Sequence, residues 1–322
     1  MSVPVKSQEN AFLYYCLCPS LYDIDTSLIE VNMTEVHLSS GFERFNDGGP
    51  LMWVRKWTEV DQNSVETSRK ALLFVSHGLG EHSGWYDELG SLLAGSGILV
   101  FSHDHVGHGK SPGIHNHIDD FKEYTSVIFD HCSEMKKKYP DLPLFLFGHS
   151  MGGAVAILAA LENKTFFSGV ITSAPFVIPT KGLPSKVELF FMKNMIARLC
   201  PQRKLFFVDS KEVTRDPDMI KRFEEDPLIH PFFKAKFGVA WLSCSEIITK
   251  NLESISWPFL AIHGDADNIS DVKFSQDMFH KAKSLDKEIK IYPGFLHAPL
   301  YEPEEDRQLV FSDIKQWLEK RI

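Results

Sequence analysis

The chain has 322 residues, 43% of them hydrophobic, and a formal net charge of -9 at pH 7; this is enough for one large α/β domain with an insertion around a well-buried core. The acidic balance provides no basic face on which nucleic-acid phosphates would release counterions, so a nucleic-acid partner is excluded. Five scattered cysteines, Cys16, Cys18, Cys132, Cys200 and Cys244, show no C-x-x-C spacing; they give neither a disulfide framework nor a zinc ribbon and fit a reducing, cytoplasmic setting.

From the N-terminus, residues 1–30 form an extension in which one lysine, Lys6, precedes a short apolar run at 11–18. No small-residue cleavage pattern follows it, and no stretch of the chain reaches the roughly 18 to 20 apolar residues that span a bilayer. The expectation is a protein that is soluble or held peripherally at a membrane. Cys16 and Cys18 are read as ordinary thiols rather than acylation sites.

Residues 31–38 and 51–57, on either side of the turn-rich Asn46-Asp47-Gly48-Gly49-Pro50, predict an antiparallel pair at a sheet edge. Near-continuous apolar runs at 71–76, 98–102, 144–147, 169–173, 259–263 and 289–292 have the character of strands buried on both faces. Residues 121–138, 272–283 and 304–321 predict helices. This alternation predicts a mostly parallel, doubly wound sheet. The regularity stops after Phe176: residues 177–256 are too many for a structureless loop and predict an inserted helical cap between core segments 31–176 and 257–322. Within the cap, residues 186–200 carry Val187, Leu189, Phe190, Phe191, Met192, Met195, Ile196 and Leu199, with Lys186, Lys193 and Arg198 for a polar side. Such a helix either packs on the body or serves as a lid that meets lipid.

The pentapeptide Gly148-His149-Ser150-Met151-Gly152 follows the apolar run 143–147 and precedes Gly153-Ala154-Val155-Ala156-Ile157-Leu158. A strand, a sharp turn and a buried helix are thereby predicted, with a serine whose hydroxyl stands clear of the backbone and glycines that permit the close approach of strand and helix. This is the nucleophile elbow of an α/β-hydrolase. A serine hydroxyl needs a histidine to take its proton and a carboxylate to orient that histidine. The chain order Ser, acid, His is met by Ser150, by Asp267 in the turn after the strand ending at His263, and by His297 in the turn after the strand ending at Tyr292. Asp265 is the rival acid and Asp271 the third. For the oxyanion, Met151 N–H at the head of the helix after the nucleophile is one donor, and Leu79 N–H in His77-Gly78-Leu79-Gly80 is the candidate for the second. No cofactor and no metal enter this chemistry.

Three other patterns point elsewhere and fail. Gly109-Lys110-Ser111 resembles the end of a phosphate-binding loop, but Asp104 stands where its first glycine is required. The cluster His103-Asp104-His105-Val106-Gly107-His108, with His115 and His117, reads as a locally hydrogen-bonded turn rather than a metal ligand set. His115 and Asp120 also stand in an H-x-x-x-x-D spacing, a two-residue pattern among 14 histidines that carries little.

Three contiguous stretches, Phe74 to Gly84, Phe101 to Gly109 and Phe147 to Ala154, resemble the monoacylglycerol lipase family of serine hydrolases, and the resemblance runs from about Phe45 to Leu318. It implies Ser150, Asp267, His297, Leu79 and Met151 in the roles derived above, a glycerol ester with one long acyl chain as substrate, and a cap that touches membranes. Glu81, Trp85, Phe223 and Leu300 fall at the positions that the resemblance assigns to substrate binding. Trp85 stands where that family places arginine, Phe223 where it places tyrosine, and Leu300 where it places a histidine, so three polar donors have become apolar. Leu79 is also larger than its counterpart. The expected activity is therefore monoacylglycerol hydrolysis, with a lysophospholipase or medium-chain carboxylesterase as the alternative on the same triad. A non-catalytic lipid receptor is the distant alternative.

Overall fold

The computed structural model describes residues 35–60, 69–181, 185, 191 and 195–322. Ten strands are present among them: β1 (Glu35–Glu43), β2 (Met52–Val60), β3 (Ala71–Ser76), β4 (Ile98–His103), β5 (Leu144–His149), β6 (Gly169–Ser173), β7 (Lys204–Phe207), β8 (Phe232–Lys234), β9 (Phe259–Gly264) and β10 (Lys287–Tyr292). The helices are α1 (Asp87–Ala94), α2 (Lys122–Lys138), α3 (Met151–Glu162), the short α4 (Ala197–Leu199), α5 (Ser210–Val213), α6 (Pro217–Glu225), α7 (Ala235–Lys250), α8 (Val272–Lys281) and α9 (Glu304–Glu319).

Eight strands form one sheet in the order β1-β2-β4-β3-β5-β6-β9-β10. Every pairing from β4 to β10 is parallel, and β2 runs antiparallel to both β1 and β4. Strands β3, β4, β5, β6 and β9 are buried along their whole length, as expected for strands covered on both faces by crossover helices. Helix α1 meets α9, while α3 meets α2 and α7, so helices occupy both sides of the sheet. Helix α3 is buried from Met151 to Ala160, which is why its sequence is apolar all round rather than striped.

The connection leaving β3 goes to β4 on one side, and that leaving β5 goes to β6 on the other. The crevice beyond the carboxyl ends of β3 and β5 is thus a topological switch point, where open α/β sheets bind their ligands.

The predicted parallel sheet is present; the edge differs from expectation in extent. β1 continues to Glu43 through Ser39-Ser40-Gly41, because each of its residues from Glu35 to Glu43 pairs with β2 from Val60 to Met52. Pairing with a neighbour outweighs the weak strand preference of those small residues. The N-terminal extension and residues 31–34 lie outside the described residues.

Among the described residues, the segment expected to be a helical cap also contains strands. It contains the antiparallel ribbon β7–β8, formed by the aromatic runs at 204–207 and 232–234. Helix α7, at its end, packs on α3 and so covers the sheet. Most of the helix expected at 186–200 lies outside the described residues; of the segment, Phe191, Met195 and Leu199 are exposed.

Candidate active site

Strand β5 ends at His149 and the chain turns at Ser150, whose φ of 53° and ψ of -119° lie in a region that side chains rarely adopt. Such strain costs about 1–3 kcal/mol and persists only where the surroundings fix it. Here Ser150 N–H donates to the Ser173 carbonyl at 2.9 Å, and the Ser150 carbonyl accepts from Gly153 N–H at 3.0 Å and Phe176 N–H at 2.9 Å. The turn also needs its glycines: a Cβ on Gly148 would lie 2.2 Å from the Gly152 carbonyl oxygen, and one on Gly152 would lie 2.1 Å from that of Ser76.

His297 reaches Ser150 from the loop after β10, with Nε2 2.8 Å from Oγ. Its Nδ1–H donates to Asp267 Oδ2 at 2.8 Å. Asp267 follows β9, and its Oδ1 accepts from Ile269 N–H at 2.7 Å and Ser270 N–H at 2.9 Å. A second histidine, His263, donates from Nε2 to Asp267 Oδ2 at 3.0 Å and accepts from the Ser275 hydroxyl at Nδ1. Burial opposes ionisation of Asp267, but the charges and hydrogen bonds of His297 and His263 outweigh it and hold the carboxyl below its ordinary value. The rival acids have other partners: Asp265 accepts from Gly294 N–H at 2.6 Å, and Asp271 caps α8 by accepting from Lys273 N–H at 2.9 Å.

The loop after β3 passes beside the serine, so that a Cβ on Gly78 would lie 3.3 Å from Ser150 Cβ. His77 Nε2 accepts from His105 N–H at 2.8 Å, which leaves the proton on Nδ1 to donate to the Gly78 carbonyl at 2.8 Å. Burial pulls the His77 pKa down to about 3, so the ring is neutral. Glu81 Oε1 accepts from Gly78 N–H and from the Tyr86 hydroxyl, the latter at 2.7 Å, and Oε2 accepts from the Tyr301 hydroxyl at 3.3 Å. Met151 is the first residue of α3, where backbone N–H groups have no intrahelical acceptor.

Ser150 and His297 open on a cleft of about 520 Å³ that is also lined by Leu79, Glu81, His149 and Tyr301. Its apolar wall comes from Phe176, Ile269 and four residues between β6 and β9: Val208, Val213, Phe223 and Phe233.

Of the four residues expected to bind substrate, Glu81 and Phe223 reach this wall, whereas Trp85 and Leu300 are not among the lining residues. Trp85 is buried behind Phe223, with ring centroids 5.8 Å apart, and its Nε1–H donates to Asp226 Oδ2 at 3.1 Å. His82 Nε2–H donates to the same oxygen at 2.9 Å, and the Arg222 guanidinium covers the indole at 4.4 Å. Leu300 is 2% exposed and belongs to the core.

The histidine-rich segment at the end of β4 is buried at His103, His105 and His108, but His103 and His105 bond to other segments rather than within the turn as expected. His105 Nε2 is 2.9 Å from Ser76 Oγ, and His103 Nδ1 is 3.2 Å from His131 Nδ1. Burial lowers the pKa of each of these three histidines. Among the described residues, no group of three or more His, Cys, Asp or Glu side chains is arranged to hold a metal ion.

Sequence reasoning missed His263, although its spacing of four from Asp267 was a readable signal. It also missed the Tyr86–Glu81–Tyr301 chain, in which Tyr301 lies 220 residues from Glu81 and shares no motif with it.

Residues 67–304 match the serine aminopeptidase S33 family. The human monoglyceride lipase is 37% identical over 279 residues, which cover 86% of this chain and 89% of that protein. The crystal structure of a monoacylglycerol lipase from Paleococcus ferrophilus superposes with a TM-score of 0.74 at 31% identity, covering 84% of this chain and 99% of its own. A soluble variant of the Saccharomyces cerevisiae monoglyceride lipase, solved with a substrate analogue, gives 0.75 at 26% identity over 94% of this chain and 98% of its own. With these likenesses over most of its length and an α/β-hydrolase sheet, the chain belongs to the monoacylglycerol lipase family of the α/β-hydrolase superfamily and is a carboxylic ester hydrolase.

Proposed function

We propose that the protein hydrolyses monoacylglycerols to fatty acid and glycerol through an acyl-enzyme on Ser150. The observation that carries this reading is the unbroken hydrogen-bond chain from Ser150 through His297 to Asp267, opening on an apolar cleft. Ser150 Oγ attacks the ester carbonyl carbon as its proton passes to His297 Nε2, and Asp267 supports the imidazolium that forms. The N–H groups of Leu79 and Met151 hold the oxyanion, aided by the positive end of α3. His297 then protonates the departing glycerol oxygen. A water molecule, deprotonated by His297, attacks the acyl carbon and releases the fatty acid and Ser150.

The acyl chain lies against Val208, Val213, Phe223 and Phe233, so residues 177–256 act as a cap that supplies the apolar wall between core segments 31–176 and 257–322. Exposed Phe191, Met195, Leu199 and Phe207 on that segment suit contact with a lipid surface, and no helix among the described residues is long and apolar enough to cross one. The protein thus works as a peripheral enzyme at cytoplasmic membrane surfaces.

One observation favours a second reading, a lysophospholipase or medium-chain carboxylesterase on the same triad. The polar groups at the head of the cleft, Glu81 and Tyr301, are bonded to each other. Hydrolysis of monooleoylglycerol, lysophosphatidylcholine and a short p-nitrophenyl ester, compared in wild type and Ser150→Ala, separates the two. A preference for the monoglyceride that is lost in the variant is expected. Preference for another ester moves the substrate and keeps the triad; hydrolysis unaffected by Ser150→Ala rejects the mechanism.

A further inference from the structure

Gly78 lies in the loop beside Ser150. A Cβ there would lie 2.7 Å from Glu81 Oε1 and 3.3 Å from Ser150 Cβ, so a side chain would have to displace the Glu81 carboxyl. Glycine, however, leaves the two flanking peptides free to rotate. In a trans peptide the N–H and the carbonyl point in opposite directions, so the direction of the Gly78 carbonyl dictates that of the Leu79 N–H. Rotation of that peptide would turn a carbonyl oxygen, instead of a donor, toward the developing oxyanion.

Both peptides are held by buried side chains. His77 Nδ1–H donates to the Gly78 carbonyl at 2.8 Å, and Gly78 N–H donates to Glu81 Oε1. The Glu81 carboxyl is in turn fixed by the Tyr86 hydroxyl at 2.7 Å and the Tyr301 hydroxyl at 3.3 Å. Burial, with the neighbouring Glu81, pushes both phenols well above their ordinary pKa, so they remain donors. Tyr301 lies four residues beyond His297, which ties the loop after β3 to the loop that carries the histidine.

We propose that Glu81 is a positioning residue for ester cleavage: with His77 it clamps Gly78 between two fixed peptides and keeps the Leu79 N–H aimed at the oxyanion. The inference rests on the assignment of Ser150 and Leu79 made above. It differs from a direct role for Glu81 in holding the alcohol of the substrate. A clamp on the oxyanion loop serves every acyl or phosphonyl transfer to Ser150, whereas a contact to the alcohol serves only substrates that possess one.

The test uses the full-length protein and three reactions that differ in leaving group: hydrolysis of monooleoylglycerol, hydrolysis of p-nitrophenyl butyrate, and phosphonylation of Ser150 by a fluorophosphonate. Glu81→Asp keeps the carboxyl group but falls short of Gly78 N–H; it is expected to slow all three reactions on the order of 10- to 100-fold, acting on kcat with KM within about 3-fold. Glu81→Gln keeps an oxygen for Gly78 and Tyr86 and is expected to retain at least about one-third of the wild-type rates. Tyr86→Phe loosens the carboxylate without touching the loop and is expected to slow all three reactions by about 3- to 10-fold, which keeps the test open should Glu81→Asp not fold. Loss confined to the monoglyceride, or an active Asp variant beside an impaired Gln variant, overturns the clamp. If wild type itself is not labelled at Ser150, the ester-hydrolase mechanism fails first, and the clamp with it.

Discussion

On one side of the cleft, Ser150, Asp267, His297 and the loop at 77–80 each follow a strand of the eight-stranded sheet, and each is held by backbone hydrogen bonds or buried side chains. On the other side, Val208, Val213, Phe223 and Phe233 come from short elements between β6 and β9 and present apolar side chains to the cleft. The first side fixes directions to within a hydrogen bond, as the proton transfer and oxyanion binding proposed for it require. The second fixes only shape, because an acyl chain asks for volume and apolar surface. Substitutions on the two sides should therefore divide between rate and selectivity.

The largest expected effect breaks the first side outright. Ser150→Ala should lower turnover by about 10⁵- to 10⁶-fold, as in other triads, with substrate affinity nearly unchanged; retention of one-tenth of the rate would rule the nucleophile out. Asp267→Asn should cost about 10⁴-fold at neutral pH by favouring the His297 tautomer that carries its proton on Nε2, while Asp265→Asn and Asp271→Asn stay within about 3-fold. Comparable losses in either rival would move the acid.

The second side should respond differently. Val213→Phe narrows the wall, and the ratio of long-chain to short-chain ester turnover is expected to fall on the order of 10-fold, with the short ester little affected. Equal losses on both esters would show that the wall contributes to the chemistry as well.

The smallest effect concerns stability under acid. Burial pulls His77, His103, His108 and His149 from 6.5 down to about 3, so the folded protein keeps them neutral where the unfolded chain would protonate them. Their contribution is complete above pH 6.5 and is lost progressively as pH falls toward about 3. The thermal midpoint should therefore drop already between pH 6.5 and 5, before carboxylates with ordinary values titrate. A midpoint flat down to pH 5 would mean that these rings charge without cost.

Much of the first side was legible in the sequence, because each residue sits just after an apolar run that can only be a buried strand. Ser150 is marked by its glycines, and Asp267 and His297 by their place in chain order. The choice of Asp267 over Asp265 was less legible, since two residues apart in a turn their side chains take different directions, and only the fold shows which one meets His297. The second side was nearly illegible. Phe223 and Trp85 read alike as apolar replacements of polar groups, yet one lines the cleft and the other is covered by it.

By itself the sequence determined the strand order of chemistry: apolar runs of fixed length, glycines where backbones touch, and Ser, Asp and His in the turns that follow. These are local signals, set by backbone sterics and by burial on both faces. Only the tertiary structure decided which distant groups meet: Asp267 rather than Asp265 on His297, Tyr301 on Glu81 beside Gly78, and β7 on β8 as a ribbon. Contacts of that kind depend on the directions of side chains brought together by the sheet, and no periodicity along the chain encodes them.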